Sequence, residues 1–225
     1  MLERTPRQMA QWVDEKCREI ARYPELKEQA LLHKGHAKKF YEELYPLSVF
    51  LNVVYGDDTR VTCVPNLDNA QDFDATVYDR KHSLPKVTKI EITSAYWENE
   101  HLRMEHFLEH GIVNMYGKVN WSGTQRKGHV IAIDDDFVAH HDLLEELMRL
   151  IKAGAVRKCS AKARYSSNHQ LIIFFDDHSW FRAERDSPEL IAFVDKEVLP
   201  LPLNFGALHI LGLAGALFSF DIADT

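Results

Sequence analysis

Asp74 and Glu91 stand with sixteen residues between them, each at the edge of a short apolar run, in FDATVYD and KVTKIEIT. In an extended KVTKIEIT, side chains alternate, so Lys89, Glu91 and Thr93 share one face while Ile90 and Ile92 take the other. If Asp74 opens the neighbouring strand, its carboxylate lies near that of Glu91, and two close carboxylates repel unless a proton or a cation separates them. A hard divalent ion resolves the conflict, because Mg²⁺ takes one or two carboxylates together with waters and phosphate oxygens. Read only as structure, the same two acids are a solvent-facing pair on a half-exposed sheet.

A partner for such a site is a polyanion. Between Glu146 and Asp176 the chain has no acid but carries Arg149, Lys152, Arg157, Lys158, Lys162 and Arg164. The stretch reads either as a phosphate-tracking surface or as the cationic end of a helix, where positive charge suits the dipole. Arg126 and Lys127 in SGTQRKG repeat the signal on a smaller scale, with Trp121 beside them as a residue able to stack on a base. Other polar groups read more simply. His140 and His141 are surface histidines, and His106 and His110 share a helix face without the order of a metalloprotease motif. Asp134, Asp135 and Asp136 suit an N-cap and first helical turn, and Asp176 and Asp177 suit the turn after a strand.

These residues need elements to hold them. Helical spacing runs through 7–22 and 25–45, with Pro24 between the two segments and Pro46 ending the second. LSVFLNVVY (47–55) and RVTCV (60–64) read as β-branched strands around a GDD turn, followed by the two strands that carry Asp74 and Glu91. A helix over 97–111 closes at Gly111. GHVIAI is a short strand or the approach to a helix. A long helix begins in the acids at 134–136 and closes at Gly154. QLIIFFDD has the continuous apolar pattern of a strand buried on both faces, and DSPELIAFVDKEVL opens as a helix. The sum is an α/β, or α+β, sandwich in one domain over 1–225: N-terminal helices over 1–45, a core over 47–180, and a C-terminal helix and apolar segment over 186–225.

Composition narrows the setting. A formal charge of −7 excludes a protein that coats nucleic acid through net charge, although it leaves a local cationic cleft open. Cys17, Cys63 and Cys159 form neither a disulfide framework nor a zinc pattern, so a reducing, cytoplasmic location is expected. The charged N-terminus has no apolar stretch before a small-residue cleavage site, which leads us to expect no secretory signal. The apolar run FGALHILGLAGALFSF is interrupted by His209 and is too short for a span of about 20 residues, so it reads as a buried terminal helix or strand pair rather than a membrane anchor.

Asp74 before an apolar strand, then KIEIT ending a second strand and leading into a helix, resembles the PD-(D/E)XK nuclease-like superfamily. The stretch from Ile151 to Asp177, a basic helix end followed by an apolar strand, is similar to the back half of that fold. The resemblance covers about residues 40–180. It implies a restriction-endonuclease-like mixed central sheet flanked by helices, with an N-terminal helical segment. It also implies an Mg²⁺ (or Mn²⁺) ion held by Asp74, Glu91 and the Ile92 carbonyl, and hydrolysis of a phosphodiester by metal-activated water. Thr93 stands where the family has a lysine, and threonine supplies no positive charge. Lys89, on the same face, or Arg103, on the following helix, is the expected substitute, and Glu42 or Glu43 is the expected third carboxylate. The implied partner is nucleic acid, DNA first, with Arg126, Lys127, Arg157, Lys158, Lys162 and Arg164 as its contacts. A homodimer is the oligomer this resemblance suggests. The alternative is a non-catalytic module of the same fold that binds nucleic acid or a partner protein.

Overall fold

The computed structural model describes residues 3–67, 71–97, 99–124, 128–159, 165–178 and 180–222. Its centre is a six-stranded mixed sheet in the order β1-β2-β3-β6-β7-β8. The strands are β1 Val61–Pro65, β2 Ala75–Asp79, β3 Lys86–Ser94, β6 His169–Phe175, β7 Ala207–Gly212 and β8 Leu217–Asp221. β1, β2 and β3 form an antiparallel meander, β3 pairs parallel with β6 and β6 with β7, and β8 returns antiparallel to β7. A separate hairpin, β4 Val119–Thr124 and β5 Gly128–Ile133, stands between α5 Glu100–His110 and α6 His140–Cys159. This is the mixed α/β architecture expected from the sequence.

Helices cover both faces of the sheet. On one side α1 Pro6–Arg22 and α4 Tyr45–Tyr55 bury Met9, Val13, Leu47, Phe50 and Leu51 against Val61, Val77, Ile90, Ile92, Ile172 and Phe174. Thr5 fixes the start of α1: its hydroxyl accepts the Gln8 N–H while the Gln8 side chain accepts the Thr5 N–H. On the other side α6 and α7 Ala183–Phe193 pack Leu147, Ile151, Ala155 and Leu190 against Leu171, Ile173, Leu208 and Ile210. The split follows strand alternation, since Ile90 and Ile92 face α1 and α4, whereas Glu91 and Thr93 face α6.

Several expected elements differ. LSVFLNVVY is helical in α4, not a strand: Pro46 falls in the first turn, where its missing N–H does no harm, and Leu47, Phe50 and Leu51 recur at helical spacing onto the sheet. Pro46 therefore opens a helix instead of ending one. The segment 25–45 is broken into α2 Pro24–Leu31, α3 Gly35–Lys39 and a π-helical turn, Phe40–Leu44. Asp134, Asp135 and Asp136 precede the helix they were expected to cap, because α6 begins at His140; it then runs past Gly154 to Cys159. GHVIAI is β5, and its partner β4 lies in a segment with no strand expectation. The C-terminal apolar run is the β7-β8 pair turning at Gly215, and no helix among the described residues is long and apolar enough to cross a membrane.

Candidate metal and phosphate site

The site forms where the meander stops short. β2 begins at Ala75 opposite Ile90, so β3 continues from Glu91 to Ser94 with no β2 residue beside it. Asp74 fills this notch: its N–H donates to the Ile90 carbonyl, and its Oδ2 accepts the Ile92 N–H at 2.7 Å. A side-chain oxygen thus replaces the backbone acceptor that another β2 residue would have supplied. In an antiparallel edge the N–H and C=O of one residue point the same way, so the Ile92 carbonyl faces the same notch.

Three carboxylates meet here. Glu91 is buried on the α6 face, Asp74 is half-buried at the mouth of β2, and Glu43 enters from the π-helical turn that packs on β3. Burial raises the Asp74 pKa to about 7; the nearby Glu91 and Glu43 carboxylates push in the same direction, and the Ile92 N–H and Lys158 only partly oppose them. Glu43 is also raised, again chiefly by burial, with Lys39 opposing and Glu42 and Glu91 adding to the rise. Lys39 Nζ lies 3.3 Å from the buried Glu43 Oε2, an ion pair that partly compensates this carboxylate. Acids held this far from their ordinary range suit a cation. Their oxygens are not drawn into a tight cage, since the three do not all lie within 4.8 Å of one another.

The positive charge missing at Thr93 arrives from the last turn of α6. Lys158 Nζ pairs with Glu91 Oε1 at 2.5 Å, and Arg157 donates to Thr93 Oγ1 at 3.3 Å and to the Ser94 carbonyl at 3.0 Å. Gly154, one turn earlier, lets α6 lie close: a Cβ there would sit 3.5 Å from both Thr93 and Ile173. Lys158 was expected only as a phosphate contact, and its place on Glu91 is the feature that sequence reasoning missed. The signal was the pair of small residues Gly154-Ala155 just before Arg157-Lys158.

The two expected substitutes lie elsewhere. Lys89 shares the Glu91 face, but its ammonium sits over the Phe73 ring, 4.8 Å from the centroid, beside buried His169. That imidazole is held below its ordinary pKa by burial first and by Lys89 second. Arg103 is buried and committed to Glu100 Oε2 and to the carbonyls of Asn114 and Gly117, so it does not reach back to the site. Of the expected phosphate contacts, Arg126, Lys127, Lys162 and Arg164 lie outside the described residues. Further up α6, Arg149 and Lys152 pair with Glu146 and Glu197. Trp121 is half exposed on β4.

Among the described residues, the one triplet whose ligand atoms all lie within 4.8 Å of one another is Asp176, Asp177 and His178, after β6. Its bonds are those of a turn. Asp176 accepts the His178 N–H, and Asp177 accepts the Ala214 N–H while lying against Gly212, where a Cβ would fall 2.1 Å from its Oδ2. His140 is tied to buried Asp186 at 2.9 Å.

Comparison with known proteins adds no relative: no family model matches the chain, and neither a curated protein nor a solved structure is significantly similar to it.

Proposed function

We propose that the chain is a metal-dependent phosphodiesterase acting on nucleic acid, with the notch beside β3 as its centre. The observation that carries the reading is the convergence of Glu43, Asp74 and Glu91, two of them with raised pKa values, beside a lysine delivered by a separate helix. The meander β1-β2-β3, joined through α5, the β4-β5 hairpin and α6 to the parallel strand β6, is in keeping with the nuclease resemblance apart from the inserted α5 and hairpin.

Asp74, Glu91 and the Ile92 carbonyl would hold the ion, with Glu43 behind them. Bound there, Mg²⁺ or Mn²⁺ would acidify a water and neutralise charge developing on the phosphate. The chain's own groups divide the remaining work. The Ile92 N–H fixes the Asp74 carboxylate, which is mostly ionised only above about pH 7. Lys158 holds an ammonium against Glu91, where it can orient the attacking water and oppose the negative charge of the transition state. Arg157 braces the end of β3, and Lys89 extends the positive face one step along the strand toward a neighbouring phosphate. Three cysteines outside any disulfide suit a reducing, cytoplasmic setting.

A second reading has one observation in its favour. The Lys158 ammonium already occupies the position on Glu91 that a metal would compete for, which suits a module that binds nucleic acid without cutting it. The two separate in one assay: labelled duplex DNA, single-stranded DNA and RNA incubated with Mg²⁺ or Mn²⁺, using the native chain and Lys158→Ala. Metal-dependent cleavage that falls at least a hundredfold in Lys158→Ala supports the catalytic reading. Binding without cleavage in both proteins supports the module.

A further inference from the structure

A cavity of about 400 Å³ lies between α1, α2, the π-helical turn and α5, away from the notch. Its walls include Ile20, Leu31 and Met104, and a run of polar groups converges on it. Glu100 is the most telling. Its Oε2 is held by Arg103 Nε at 3.1 Å, and Arg103, itself 2% exposed, is pinned by the Asn114 and Gly117 carbonyls at 2.9 and 2.7 Å. This anchored ion pair leaves the second oxygen of Glu100, a lining residue, bonded to no described residue.

The tyrosines and His33 extend the pattern. Tyr41 and Tyr96 line the cavity, and their hydroxyls hydrogen-bond no described residue. His33 adopts φ 50°, a left-handed conformation that a non-glycine residue enters at a cost of about 1 kcal/mol or more. In that conformation its ring lies edge-on to Tyr96, with centroids 5.4 Å apart, and its Nδ1 lies 3.1 Å from Glu42 Oε1. Apolar and aromatic walls with a few fixed polar groups are the marks of a small-ligand site.

The chemistry of the lining selects the ligand. Lys27 is the one lysine or arginine among the lining residues and Glu100 is an acid there, so the lining holds no cluster of cations for a polyphosphate. A flat ring matches the tyrosines and the Met104 thioether, and N–H donors on its edge match Glu100 Oε1. We infer that this cavity is a binding site for a nucleobase, held by its faces on the aromatic wall and by its amino or imino edge on Glu100. The base can belong to a free nucleoside or, if the nuclease reading holds, to an unstacked residue of the bound strand. Tyr41 and Glu43 both belong to the π-helical turn, so the same turn borders the cavity and reaches the carboxylate cluster. Single-turn π-helical segments of this kind recur at functional sites.

The test uses the full chain, titrated calorimetrically with adenosine, guanosine, cytidine and thymidine. In parallel, fluorescence follows a single strand carrying 2-aminopurine. Binding of at least one nucleoside or of the strand-borne base is expected, weakened at least tenfold in Ala30→Trp, which fills the cavity, and in Glu100→Gln. Preference for free nucleosides identifies a small-molecule source, and preference for the strand identifies the substrate itself. A second measurement needs no substitution: saturating ligand should slow alkylation of Cys17, which lines the cavity, as followed by peptide mass spectrometry. Absence of binding by every nucleoside and by the strand overturns the inference, as does native affinity in both variants or an unchanged rate at Cys17. Asp74→Asn should leave nucleoside affinity unchanged, and nucleoside binding by a native chain that cleaves no nucleic acid counts against the nuclease reading alone.

Discussion

Lys158 and Glu91, sixty-seven positions apart, meet as a mostly buried ion pair that joins the last turn of α6 to the middle of β3. Removing one partner of such a pair leaves the other charged and desolvated, which typically costs about 3 kcal/mol or more. Lys158→Met should therefore lower the denaturation midpoint strongly. Mg²⁺ or Mn²⁺ should then restore more stability to this variant than it adds to the native chain, because the ion takes over the role of the ammonium. Thermal melts of both proteins with and without metal check this, and an equal metal effect in the two would count against a shared site.

Asp74 and His209 should impose opposite pH dependences on stability. Asp74 has a folded pKa of about 7, above the ordinary carboxylate value, so the stability it provides is complete at low pH and is lost as pH rises through 7. His209 is buried against Phe50, 4.9 Å between ring centroids, and burial lowers its pKa to about 4; its contribution is complete above about pH 6.5 and is lost as pH falls through 4. Each effect is on the order of 3 kcal/mol across its full range. Asp74→Asn keeps an acceptor for the Ile92 N–H and should be more stable than the native chain at pH 8 but not at pH 4. Denaturant titrations at the two pH values test this, and a less stable Asp74→Asn at pH 8 would show that the carboxylate is compensated in the native fold.

Gly154 governs how α6 delivers its cations. A methyl group there meets Thr93 and Ile173 at ordinary contact distance, so Gly154→Ala should be tolerated and even stabilising, by about 0.5–1 kcal/mol from helix propensity. Gly154→Leu has no such room and should lift the helix end from β3, separating Lys158 from Glu91. The expected result is normal folding with lost activity in Gly154→Leu and full activity in Gly154→Ala.

Asp74 and Glu91 were legible in the sequence because strand alternation is strict: once KVTKIEIT is extended, Glu91 must leave the isoleucine face. The Lys158 contact was not legible, because it depends on how closely a helix more than sixty residues later approaches the sheet. The helical state of 47–55 was hidden by its valines, whose β preference yields to the inward spacing of Leu47, Phe50 and Leu51 and to Pro46 at the helix start. Arg103 failed as the substitute cation for a similar reason: nothing local announces that Asn114 and Gly117 will bury their carbonyls on it.

The most direct test of the metal site is Mn²⁺ affinity, measured by electron paramagnetic resonance on the native chain and on an Asp74→Asn/Glu91→Gln double variant. Binding by the native chain, weakened at least tenfold in the variant and competed by Mg²⁺, is the expected result. Equal affinity in the two proteins would mean that the carboxylates of the notch hold no ion and that Lys158 alone answers their charge.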